Sequence, residues 1–134
     1  MIKPDKPANE ALRLEALYRY RILDSERERS FDDLVAIAKA VCGTTMAAVT
    51  LIDVERQWFK SIQGIDAAET LRSDSMCGHA ILQEDVFVIL DASQDERFHG
   101  RLRFGPNGGR GKIRPASPWH RAYRRAGWWR WWLR

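Results

Sequence analysis

No stretch of this chain is apolar for anything near the roughly 18 to 20 residues that a membrane-crossing helix needs. The opening decapeptide, MIKPDKPANE, lacks the apolar run of a secretory signal, so a cytoplasmic location is expected. Cysteine is scarce. Cys42 and Cys77 can form one disulfide at most, a cytosol keeps them reduced, and without CxxC spacing they make a poor metal site. Acidic residues are missing altogether from 99 to 134. No helix-turn-helix, zinc-finger or RNP pattern is present either, which removes the usual frameworks for reading nucleic acid.

What is present divides at about residue 99. Residues 1–98 carry twelve Lys and Arg against all eighteen acids, a net of −6, whereas residues 99–134 carry ten basic residues and five of the six tryptophans. The overall charge of +4 therefore averages two different kinds of sequence. With 134 residues, 45% of them hydrophobic and 30% charged, the chain has room for one soluble domain.

The first part is organised around residues 44–63, TTMAAVTLIDVERQWFKSIQ. Two runs rich in β-branched and aromatic residues, near 46–53 and 57–63, flank a polar connection and read as an antiparallel hairpin. Asp53 is placed to accept hydrogen bonds from the turn amides. Trp58 and Phe59 point to opposite faces of such a strand, and each needs cover.

Helices supply the cover. Residues 1–8 read as an extended lead-in, and Asn9 as the cap of a helix from Glu10 to about Tyr20, with Leu12, Leu14, Ala16, Leu17 and Tyr18 as its apolar stripe. Ser30 reads as the cap of a second helix, supported by Asp33, with Phe31, Leu34, Val35, Ala38 and Val41 on one face and Gly43 as its stop. Cys42 reads as a small buried hydrophobe at that helix end. Residues 64–75 read as a polar crossing with at most one helical turn. Met76–Leu82 reads as a short helix capped by Asp74 or Ser75, and Val86–Leu90 as a third strand.

Four segments then carry a family resemblance: ILDSERERSFDDLVAIAKAVCG, AAVTLIDVERQWFKSIQG, RSDSMCGHAI and VFVILDASQDERF. In this order and spacing, from Ile22 to Phe98, they resemble the amino-terminal part of a GAF domain of bacterial sensor kinases, diguanylate cyclases and related regulators. The resemblance implies an α+β, PAS-like fold, with a central antiparallel sheet of five or six strands and helices packed on it. It implies a sensory or regulatory module in signal transduction that senses a small molecule or forms a homodimer through its helices. A kinase or diguanylate cyclase output domain, absent from this chain, would receive the signal. It places the ligand pocket on one side of the sheet near residues 72–82, with Phe59, Arg72, Met76, Cys77 and His79 as candidate lining.

After Phe98 the resemblance stops. The later strands and closing helix of the family are replaced by the basic tail, in which Pro115 interrupts the segment most like a strand. The domain is therefore expected to be incomplete after residue 98: a lead-in and helix over 1–21, a partial GAF-like domain over 22–98, and a tail over 99–134 that is out of frame or poorly ordered, with at most a loose helix over 119–132.

The residues with chemical potential have plain readings beside functional ones. Cys77 and His79 offer a thiol and an imidazole, and a thiol-dependent enzyme of the free methionine sulfoxide reductase type using Cys77 is the alternative function. Positions i and i+2 of a helix do not share a face, however, and no acid is placed with them. The chain is read as no enzyme. Bilin-binding relatives place histidine directly after the cysteine. Here Gly78 intervenes, so no bilin or other cofactor is expected. Asp91 and Asp95 read as turn caps that pair with Arg97. His79, His99 and His120 have no metal-ligand spacing, and no metal is expected. The tail, with arginines interleaved among Trp119, Tyr123, Trp128, Trp129, Trp131 and Trp132, has the make-up of a polyanion or acidic-membrane sticker, the third functional class.

Overall fold

The computed structural model describes residues 2–92 and 94–98. The tail, its expected disorder or helix, His99 and His120 all lie outside the described residues. Along the chain come α1 (Glu10–Arg19), α2 (Arg29–Cys42), β1 (Ala47–Ile52), β2 (Arg56–Gln63), β3 (Glu69–Leu71), a single 3-10 turn (Arg72–Asp74) and α3 (Met76–Ala80). The result is an α+β fold with an open three-stranded antiparallel sheet in the order β1-β2-β3, flanked by helices. This arrangement is consistent with part of a GAF/PAS-like fold.

The hairpin forms where its residue types place it. Asp53 N–H donates to the Arg56 carbonyl across 2.8 Å. The Asp53 carboxylate accepts the Val54 N–H at 2.8 Å, the turn role read from its position. Beyond the turn, Ile52 pairs with Gln57, Leu51 with Trp58 and Thr50 with Phe59, and then Val49 pairs with Ser61. Lys60 is the extra residue of a bulge. A bulge interrupts the strict alternation of a strand, and both Lys60 and Ser61 consequently reach the helix α2 side. Ser61 Oγ donates to Asp32 Oδ1 (2.6 Å), and Lys60 Nζ reaches Ser25 Oγ (2.6 Å), the Glu26 carbonyl (2.7 Å) and Glu28 Oε1 (2.6 Å).

The third strand is not where the apolar run suggests. It is Glu69–Leu71, paired with Arg56–Trp58, inside the stretch expected to be a polar crossing. What recruits it is a cross-strand ion pair, Arg56 Nη1 to Glu69 Oε2 at 2.8 Å, and the Phe59 N–H, which donates to the Ala68 carbonyl at 3.1 Å. Val86–Leu90 joins no strand of the described sheet, and Val86, Val88 and Leu90 are exposed. A strand needs a ladder as well as a pattern, and β2 already has both neighbours filled.

Both long helices depart from their expected caps and faces. Asn9 flanks α1 without a side-chain cap. α2 begins two residues earlier than a Ser30 cap allows: Glu28 is the extended flanking residue, and its carbonyl accepts the N–H groups of Phe31 (3.1 Å) and Asp32 (3.2 Å). The acid in the first turn is Asp32, and Ser61 and Arg27 hold its carboxylate. Gly43 stops α2 in the left-handed region, at φ 60°. Val35 is buried and Phe31 half-buried against the sheet, whereas Leu34 and Val41 of the expected face are exposed. Cys42 is exposed too, because the last turn of α2, Val41 to Gly43, stands clear of the sheet. On α1 only Leu17 is buried. Leu12 and Tyr18 are exposed, and polar bonds hold the helix instead.

Residues 2–4 are not a loose lead-in. Ile2 N–H donates to the Arg97 carbonyl at 2.8 Å, and Pro4 is buried against Gly78, where an added Cβ would come within 2.7 Å of Pro4 Cγ. This strap binds α3 to residues 95–98. Among the described residues, Leu17, Val35, Ile52, Trp58 and Phe98 are buried, and so are the polar or charged Gln57, Lys60, Ser61, Arg72, Ser75 and His79.

Candidate functional site around α3

Paired residues on adjacent antiparallel strands project to the same face. Thr50 and Phe59 are such a pair, and Gln57, two positions before Phe59, shares their face. α3 lies over this side. Ser75 caps it, its Oγ accepting the Gly78 N–H at 2.9 Å and donating to Gln57 Oε1. Cys77 lies against Thr50. Burial pushes the Cys77 thiol above its ordinary pKa, and the Thr50 contact offsets this only in part. The structure thus brings Phe59, Thr50, Gln57, Ser75 and Cys77 to one face. Met76, half-buried, opens the helix beside them.

His79 turns elsewhere. Its Nε2 lies 3.0 Å from the Ile2 carbonyl, an acceptor, so Nε2–H is the donor and Nδ1 is left bare in the neutral ring. Its edge meets the Phe98 ring at 5.1 Å between centroids with planes at 85°, and Phe87 meets Phe98 at 6.3 Å. Cys77 and His79 therefore serve opposite sides of α3, as positions i and i+2 require. Beside them, Arg97 donates to Asp95 from Nε (2.9 Å) and Nη2 (2.6 Å), the pairing read from the sequence. That guanidinium holds Asp95 down at about 2 and is itself raised.

Arg72, the remaining candidate, lies apart from the α3 face, at the hairpin turn. Its Nη1 donates to Glu10 Oε1 (2.5 Å), the Asp53 carbonyl (3.0 Å) and, weakly, the Val54 carbonyl (3.4 Å), while Nη2 is buried without a protein partner. Arg13 shares Glu10 through Nε (3.0 Å) and Nη2 (2.9 Å), and also reaches the Ile52 carbonyl. Hydrogen bonds from Arg13 and Arg72 bring Glu10 to about 2. Burial pushes Asp53 up, but Tyr18, the Val54 N–H and Arg56 outweigh it and leave the carboxyl low. Tyr18, as the donor, is raised. Arg56 completes the network with Asp24, Asp53 and Glu69, and these partners raise it further.

Sequence reasoning missed Gln57, Thr50, Lys60 and the Glu10–Arg72 pair. The available signals were a lysine inside an apolar strand and a serine immediately before a short helix. Among the described residues, no three His, Cys, Asp or Glu side chains are grouped to hold a metal ion, and no helix is long and apolar enough to cross a membrane.

The fold and this site define a small α+β unit with an open sheet and one polar helix seat. No known family model matches the chain. Over 98 residues, 73% of its length, the chain is 34% identical to a cyclic di-GMP phosphodiesterase of Pseudomonas aeruginosa, and the match covers 17% of that protein. The chain thus resembles one part of a much larger enzyme.

Proposed function

We propose that this chain is a GAF-like sensory or regulatory module, without catalysis of its own, that acts on an output domain in signal transduction. The observation that carries this reading is the pairing around α3. Ser75 is committed to Gln57 and Gly78, Cys77 to Thr50, and His79 to Ile2, so the helix joins the sheet to the strap. A helix seated by single side-chain bonds is suited to shift when a small molecule competes for the Phe59–Thr50 face. The similarity to a small part of a cyclic di-GMP phosphodiesterase supports placement beside an enzymatic domain. In this reading residues 2–98 work as one unit, and the ligand is a small molecule held on the α3 side by Phe59, Met76 and Cys77.

The competing thiol-enzyme reading requires an activated Cys77. Alkylation of the reduced chain at neutral pH, followed at each cysteine by mass spectrometry, separates the two. The regulatory reading expects Cys77 to react more slowly than a simple thiol and than exposed Cys42, because burial favours its protonated form. Reaction of Cys77 ahead of a simple thiol would reverse the assignment.

A further inference from the structure

Ahead of α2 the chain is held unequally on the two sides of one short connection. Asp24 to Glu28 are gripped by β2. Arg56 takes both carboxylate oxygens of Asp24, at 3.0 and 2.5 Å, and the buried Lys60 ammonium takes Ser25, Glu26 and Glu28. Residues 2–23 have no such grip. Of their apolar side chains only Pro4 and Leu17 are buried, while Ile2, Leu12, Tyr18 and Tyr20 are exposed. Tyr18 and Arg13 seat this stretch on the hairpin turn, through the Asp53 carboxylate and the Ile52 carbonyl. Where the two parts meet, Arg21 and Asp24 hold φ at 49° and 56°, the left-handed region in which residues other than glycine are strained.

The other contacts of residues 2–10 run along a single segment, in antiparallel order. Glu10 meets Arg72, Pro4 meets Gly78, and Ile2 meets His79. Residues 72–79 are thus spanned from end to end. α3 is five residues long and α1 ten, and helices this short do not keep their own hydrogen bonds in water without tertiary partners. Each therefore depends on the other staying in place.

We propose that residues 2–23 are a hinged arm, turning at Arg21–Asp24, that latches α3, and that arm and α3 open together while α2 and the hairpin stay folded. Opening relieves the strain at the hinge, and only two buried apolar side chains of the arm oppose it. It takes Pro4 off Gly78 and Ile2 off His79, so the helix that carries Met76 and Cys77 loses its seat. For the purpose of the opening the arm rests on the regulatory reading: a small molecule that binds better with α3 displaced releases the arm by the same free energy.

The experiment is native-state amide hydrogen exchange of the full chain in urea below its unfolding transition, read at single amides. The Ile2, Arg13, Tyr20, Gly78 and Ile81 amides all donate within the arm, within α3 or between them and residues 95–98. They are expected to share one opening rate and one urea dependence, with protection at least about tenfold below that of the Asp53 and Phe59 amides in the sheet. Tyr18→Phe, which removes only the bond to Asp53 at the turn, should speed exchange about two- to tenfold at all five, Ile2 and Gly78 included. Exchange of all five only together with Asp53 and Phe59, in global unfolding, overturns the proposal. So does lost protection at Ile2 while Arg13 and Gly78 keep theirs, since that is a fraying terminus. A Tyr18→Phe effect confined to Arg13 and Tyr20 also overturns it. The measurement needs neither ligand nor output domain, so its failure leaves the regulatory reading to the alkylation of Cys77, and the two failures are told apart.

Discussion

At the hairpin turn, Glu10, Arg13, Arg72, Asp53, Tyr18, Arg56, Asp24 and Glu69 form one connected network that ties α1 and β3 to the turn. Around α3 and the strap, the contacts are the Phe98, Phe87 and His79 rings, Pro4 against Gly78, and a few single hydrogen bonds. The first region is held chiefly by charge, and the second by packed rings together with one ion pair, Arg97–Asp95. The difference indicates where each is vulnerable. A charge network depends on pH and tolerates small changes of volume, whereas packed rings do not tolerate lost or added volume.

The largest effect is expected at Phe98, whose side chain is fully buried. Phe98→Ala should cost about 3–5 kcal/mol in urea unfolding, by lost burial and the cavity left behind. It should also free the Ile2 amide to exchange. A loss below about 1 kcal/mol would mean that the strap region contributes little to stability.

Next comes Arg72→Met. It strips a buried partner from Glu10, although Arg13 remains, and should cost about 2–3 kcal/mol. This region should also contribute to the acid response. Glu10, held at about 2 against an ordinary value of 4.5, favours the folded state once ionised. Its contribution is complete above that ordinary value and is lost as pH falls from about 4.5 toward 2, since the unfolded chain takes up protons first. Glu10→Gln should flatten that part of the urea-midpoint profile. An unchanged slope would remove Glu10 from the account.

Gly78→Ala should cost about 1–2 kcal/mol, because the new methyl meets Pro4, and Pro4→Ala in the same chain should recover part of it. Equal losses with and without Pro4→Ala would show that the strap does not press on α3. The smallest effect is expected at Arg19–Glu15, where both side chains are mostly exposed. Glu15→Ala should change stability by less than about 0.5 kcal/mol, and less still in high salt.

The same division marks what the sequence made legible. The hairpin, the Asp53 turn, the Gly43 stop, the Ser75 cap and the Asp95–Arg97 pair are local, and residue type and spacing suffice to place them. The strand at Glu69–Leu71, the burial of Lys60 and the seating of Arg72 on Glu10 depend on partners far along the chain. No spacing rule selects Glu10 over the other acids. Val86–Leu90 failed for the complementary reason: its apolar run is real, but the described sheet offers it no ladder. Of the candidate residues, Phe59 and Cys77 share a face. His79 and Arg72 serve the strap and the turn.

The central claim, that the α3 seat regulates an output domain and performs no chemistry, is tested most directly by a chimera. The matching segment of the Pseudomonas aeruginosa phosphodiesterase is replaced by the corresponding stretch of this chain, and cyclic di-GMP hydrolysis is measured with and without Thr50→Val and Ser75→Ala. The account predicts no hydrolysis by this chain alone, an active chimera, and a several-fold change in its rate when the two substitutions loosen α3. Hydrolysis by the chain alone, or a chimera whose rate ignores the substitutions while exchange shows α3 released, would contradict it.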